Sequence, residues 1–256
     1  MRIPLIRIFF FFLFWSAAQH VFAVQDTVLH GVHIHLTYSA EIFPESWLED
    51  PINAEGGQLK DTEIPRTIHA LDLALAKYPE KILTYNCPDI YCLEWMRFYD
   101  VGYGGTNTND AVYVTNAGLE MGYTDAFLES SFHHEFSSIL FRNFGGLIDT
   151  TSWISGNPAQ FEYGDPSGGA EAIRNGLAAT DIDPELCAVG FLTQYSMSSM
   201  ENDINMLAEQ LFNPDPSFWQ MVKENPRLAK KVDLLIAFYH QLDKSFTRQY
   251  FQGLGP

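Results

Sequence analysis

Basic residues are scarce in this chain: 15 Lys and Arg stand against 32 Asp and Glu, a formal net charge of −17 at pH 7. So acidic a surface repels phosphate backbones and anionic lipid, which argues against nucleic acid as a partner. Only 3 cysteines are present, Cys87, Cys92 and Cys187, too few for a dense disulfide scaffold. No Gly-x-Ser-x-Gly elbow occurs, so an esterase-type nucleophile is not indicated. GYGGTNTND holds glycines and hydroxyls but no following Lys-Ser or Lys-Thr, and reads as a turn or loop, not a phosphate cradle. Apolar runs are short too. The longest, Ile8 to Ala18, is about eleven residues, below the roughly 18 to 20 that span a bilayer.

That run sits in MRIPLIRIFFFFLFWSAAQHVFA, where Arg2 and Arg7 give a positive start and Val21-Phe22-Ala23 a small-residue cleavage site. Residues 1–23 therefore read as a signal peptide, and the product as exported, periplasmic or extracellular, without stable membrane insertion once the signal is removed. Its removal takes away two positive charges and moves the net charge from −17 to −19. Residues 24–256 are long enough for one domain with a real core. In an oxidising compartment, Cys87 and Cys92 are expected to close a small disulfide loop.

Strand and helix periods divide this domain. Val32, Ile34 and Leu36 alternate with His33 and His35, a strand with its histidines on the solvent side, although His-x-His is also an accepted metal-ligand spacing. IPRTIHALDLALAKYP has helical spacing; KILTYNC, IYCLEWMRFYDV and AVYVTN read as strands. A helix is expected from Asp125 to Phe144, stopped by Gly145-Gly146. Further helices are expected near Ala170 to Ala179, over MENDINMLAEQLF, and over NPRLAKKVDLLIAFYHQLDKSF. A sheet plus one central helix (24–146) followed by a helical lobe (147–256) is an α+β arrangement.

The central helix carries the chemistry. It contains His134-Glu135-Phe136-Ser137-Ser138, and a His-Glu-x-x-His zinc site would place a second histidine where Ser138 stands. Phe132, Phe136, Ile139 and Leu140 form its buried stripe, with His134 and Ser138 turned away and Glu135 at the margin near Arg142. Two histidines at i and i+4 hold zinc, and the adjacent glutamate takes a proton from metal-bound water. A polar helix face, however, needs no metal to exist.

DAVYVTNAGLEMGYTDAFLESSFHHEFSSIL, followed by GFLTQYSMSSMENDINMLAEQLF, resembles a group of exported bacterial proteins assigned as zinc-binding metallopeptidases, over roughly Ala111 to Tyr239. The resemblance implies a zincin-like fold, a mixed sheet packed on a central active-site helix with a helical C-terminal lobe. It implies peptide-bond hydrolysis of a peptide or protein substrate, with Glu135 as general base, His134 as zinc ligand, and Tyr195 donating to the oxyanion. AVYVTN would be the edge strand along which the peptide lies. A third ligand is expected from the acidic helix, at Glu201 or next at Asp203, where the family's Glu-Asp-Phe-Ala-Glu reads Glu201-Asn202-Asp203-Ile204-Asn205. Glu201 equally completes a capping box with Ser198. With Ser138 in the motif, the alternative is a catalytically inactive binding module of the bacterial envelope, a pseudoenzyme that kept the cleft.

Overall fold

Alternation places Val32 and Ile34 on the buried side of a strand, and the strand forms. The computed structural model describes residues 26–164 and 169–255; the expected signal peptide lies outside them. Strands β1 (Thr27–Leu29) and β2 (Val32–His35) make a hairpin through His30 and Gly31. Both turn residues have positive φ (49° and 79°), the twist that two-residue hairpins require. Tyr99 and Asp100 (φ 53° and 60°) repeat this device between β4 (Asp89–Phe98) and β5 (Val101–Tyr103).

Strand β4 organises the sheet. Its first half pairs in parallel with β2 and with β7 (Ala111–Thr115), while its second half pairs antiparallel with β3 (Glu55–Gln58) and β5. Strand β6 (Gly105–Asn107) closes the order β1-β2-β4-β7-β6, antiparallel to β7. The sheet is therefore mixed. One face presents Val32, Ile34, Ile90, Cys92, Val112 and Val114 to the main core, and the other presents Leu93, Met96, Phe98 and Tyr113 to a smaller cluster around Phe43.

Helices α1 (Ile64–Leu75) and α2 (Glu80–Asn86) lie between β3 and β4, and α3 (Asp125–Phe144) follows β7. The short α4 (Thr150–Ile154), α5 (Ala170–Arg174) and α6 (Pro184–Val189) lead into α7 (Met200–Phe212), α8 (Phe218–Glu224), α9 (Pro226–Leu242) and α10 (Arg248–Gln252). Helix α3 is the hub, packed against α1, β6, β7 and α7. Its N-cap Thr124 accepts from Phe127 N, and its stripe of Phe132, Phe136, Ile139 and Leu140 is fully buried. Among the described residues no helix is long and apolar enough to cross a membrane.

Four local expectations change. KILTYNC is helix α2, not strand: Pro79 precedes it, Glu80 begins its first turn, and Ile82, Leu83 and Asn86 share its buried side. GYGGTNTND contributes strands β5 and β6, because pairing to β4 and β7 overrides a turn-like composition. AVYVTN, as β7, lies between β4 and β6 and is not an edge; β6 is. Cys87, Cys92 and Cys187 are free and buried. Cys87 ends α2 with its Sγ 3.5 Å from Asp89 O, while Cys92 lies three residues further along β4, and the two thiols are not joined.

Candidate functional site

Helices α3 and α7 meet along a polar seam with four rungs. Asn213, the C-cap of α7, donates through Nδ2 to Ser130 Oγ at 3.2 Å. One turn along, His134 Nδ1 lies 2.6 Å from Glu209 Oε1. Next, Asn205 Nδ2 donates to Ser138 Oγ at 2.7 Å, and last Arg142 Nη2 stands 3.6 Å from Glu201 Oε1. Each step advances α3 by four residues and takes α7 back by four, as antiparallel helices with facing i, i+4 rows must. The apolar stripe of α7, with Ile204, Leu207, Ala208 and Leu211, packs elsewhere in the core.

Beside the His134–Glu209 rung opens a cavity of about 330 Å³, lined by Gly104, Gly105, Phe127, His134, Glu135, Tyr195 and Glu209 among others. The His134 and Tyr195 rings lie nearly parallel, 6.1 Å apart. Gly169 backs Tyr195: a Cβ there would meet the Tyr195 hydroxyl at 2.1 Å, and its φ of +104° suits glycine besides. Burial disfavours the His134 imidazolium, but the hydrogen bond and charge of Glu209, helped by Glu135 and Glu201, hold its pKa above the ordinary value. Burial raises the Glu135 pKa, with His134 and an amide from Asn107 acting against the rise.

Glu135 is only 8% exposed and is held by the edge strand. Asn107 Nδ2 donates to Glu135 Oε2 at 2.6 Å. On the same carboxyl, Oε1 lies where a Cβ on Gly105 would be 2.7 Å away, so only glycine allows β6 to approach so closely. The carboxyl thus sits directly under β6, whose outer side carries no further strand among the described residues.

The expected site residues divide. His134, Glu135 and Tyr195 share the cavity lining. Glu201 lies half-exposed in the first turn of α7, near Arg142 and outside that lining. The cap of this helix is Ser199, whose Oγ accepts from Asn202 N, so the Ser198 capping box does not form. Asp203 is turned away altogether. It is fully buried, with Oδ2 accepting from Lys231 Nζ at 2.7 Å, Tyr163 Oη at 2.7 Å and Trp153 Nε1 at 2.9 Å. Lys231 neutralises it and stands 4.0 Å from the Phe191 ring centroid. With a lysine already on its carboxylate, Asp203 is no metal ligand in this arrangement.

Three further residues of α3 and α7 take their places from the packing of the two helices. Ser138 does not face solvent but is 3% exposed inside the seam. His133 is fully buried, with Nδ1 2.9 Å from Tyr78 Oη, and burial pushes its pKa down to about 4. Glu209, which helical phase sets well outside the apolar stripe of α7, is the carboxylate that meets His134. Its signal was its four-residue spacing from Asn205 and Asn213, visible only once the partner helix is known. On β2, His33 is exposed and His35 is held by Asp89 Oδ1 at 2.7 Å and Asp26 Oδ2 at 3.2 Å, on the solvent side as expected.

A resident zinc can be tested against these donors. Among the described residues no three His, Cys, Asp or Glu side chains converge as a metal-binding group. Where a second histidine would project, Ser138 and Asn205 bond to each other in a neutral pair, both nearly inaccessible. His134 spends Nδ1 on Glu209. A catalytic zinc needs three protein ligands, and this donor set does not fit one. Neither a family profile nor a curated protein matches the chain. Among solved structures, the chain is similar to a candidate zinc-binding metallo-peptidase from Bacteroides caccae, with 14% identity and a TM-score of 0.44. The likeness covers 72% of this chain and 76% of that one. At that level it assigns neither activity nor ligand to this chain.

Proposed function

We propose that this chain is an exported, zincin-like peptide-binding protein of the bacterial envelope, which takes an extended peptide along the outer edge of β6 without a resident zinc. A single observation carries the reading. The sheet ends at β6 directly above a cavity lined by His134, Glu135, Tyr195 and Glu209. An unpaired strand edge offers backbone donors and acceptors to a peptide, and side-chain cavities beneath it supply selectivity. The neutral Ser138–Asn205 pair supports binding over metal-dependent turnover.

The test is titration of isotopically labelled mature protein with a casein digest, followed by amide NMR. Binding that protects and shifts the Gly105, Thr106 and Asn107 amides is the expected result. Saturable binding that leaves β6 unchanged, or no binding at millimolar peptide, refutes the reading.

Peptide-bond hydrolysis with Glu135 as general base is the second reading. It is favoured by the presence of a buried carboxyl and the Tyr195 ring in one cavity. Cleavage of the same digest after zinc supplementation, lost in Glu135→Gln, would establish it over simple binding.

A further inference from the structure

Arg142 is not among the residues that line the cavity, yet it governs what Glu135 meets. From the last turn of α3 it donates Nη1 to Thr108 O at 2.8 Å and Nη2 to Asn107 Oδ1 at 2.7 Å. A guanidinium has donors and no acceptor, so it can face only the oxygen of an amide. That fixes the Asn107 side chain: with Oδ1 turned to Arg142, Nδ2 must turn to Glu135, where it donates at 2.6 Å. The two ends of one amide are assigned by chemistry, without reference to hydrogen positions.

The consequence at Glu135 is asymmetric. Oε2 is tied by Asn107, while Oε1 accepts no hydrogen bond among the described residues and rests against Gly105 at the cavity wall. One oxygen is held and the other is left for a ligand. We infer that Arg142 and Asn107 are positioning residues: a relay that holds the Glu135 carboxyl under β6 by one oxygen and leaves the other to the group that enters the cavity. This rests on the reading of that cavity as the binding site.

The charged groups facing Glu135 are few. From its own helix there is His134; from α7 there are Glu209 and, further out, Glu201; from β6 there is only the neutral amide of Asn107. The two α7 carboxylates disfavour a second negative charge, so the donated amide acts against them. Without it, protonation should come at higher pH.

The experiment follows the Glu135 side-chain carboxyl by 13C NMR across a pH titration of the full mature chain, free of peptide. Asn107→Ala should raise the Glu135 midpoint by about one pH unit, a roughly tenfold gain in proton affinity. Arg142→Lys keeps the charge but replaces the planar fork that grips Thr108 O and Asn107 Oδ1 with a shorter, freely rotating ammonium, and should reproduce at least half that shift. A purely structural role would alter melting temperature without moving this midpoint. An unmoved midpoint in Asn107→Ala overturns the relay, as does an Arg142→Lys protein indistinguishable from the parent. Peptide binding is read separately, so loss of the binding reading and loss of the relay are distinguishable.

Discussion

His134 Nδ1 and Glu209 Oε1 lie 2.6 Å apart across the interface of α3 and α7, on the wall of the cavity under β6. The pair joins residues 75 positions apart in the chain. It gives the cavity an imidazole held toward its protonated form, beside a glutamate held toward its neutral form. Both groups are thus pushed toward their protonated forms, and titratable groups perturbed by burial and by each other in one cavity are a common feature of sites that handle protons or polar ligands.

Glu209→Gln should therefore lower the His134 pKa by about one unit, since the charge is lost while an acceptor remains. Ring-proton NMR titration reads this directly. The sign also fixes a stability effect. Because the folded pKa of His134 is raised, its stabilising contribution is full below the unfolded value and disappears as pH rises through the folded one. A His134 midpoint unchanged in Glu209→Gln would mean that Glu209 does not set it.

The neutral Ser138–Asn205 rung invites the reverse experiment. Ser138→His together with Asn205→Glu would put histidines at i and i+4 of α3 with a carboxylate facing them. The double variant should bind about one equivalent of zinc by calorimetry or elemental analysis, and the parent far less. Equal zinc content in both would show that these two positions do not decide metal binding.

Lys231 and Asp203 are both fully buried, so removing one partner strands the other. Lys231→Met should cost about 3 to 5 kcal/mol, because an uncompensated carboxylate remains in the core. For a domain of this length that lowers the melting temperature by roughly 10 °C. Adding Asp203→Leu should recover much of the loss. Calorimetry of the single and double variants separates a stranded charge from lost packing.

Acid should unfold the protein partly through His133. In the unfolded chain it takes up a proton near 6.5, but in the fold only at about 4. The unfolded state binds more protons between those values, so stability falls as pH drops through that window, by on the order of 3 kcal/mol. Glu129, whose pKa is lowered despite burial by the nearby His133 ring and by the hydrogen bond and charge of Lys77, loses its contribution in the same direction. A His133→Phe variant should show a flatter dependence of urea midpoint on pH between 6.5 and 4.

Much of this was legible from local pattern. The limits of α3, its buried aromatic stripe and the alternation of β2 follow from periods of 3.6 and 2 together with two glycines. What was illegible depends on partners distant in sequence. A helical wheel ranks α7 by a single apolar stripe, but the helix is buried on two sides, and Glu209 belongs to the second, polar one. Asp203 borders that stripe and looked available to a metal; nothing near it announces a lysine 28 residues later. Gly105 and Asn107 resemble turn residues, and β7 makes them a strand.

The seam between α3 and α7 also fixes how the two helices can slide. Its two basic side chains, His134 and Arg142, are eight residues apart, as are its two acidic ones, Glu209 and Glu201, with neutral side chains between and beyond. A displacement of one turn in either direction would leave both basic side chains without an acidic one opposite. The same side chains that furnish the cavity wall therefore act as a vernier, admitting one alignment of the helical lobe on the sheet and discriminating against its nearest neighbours.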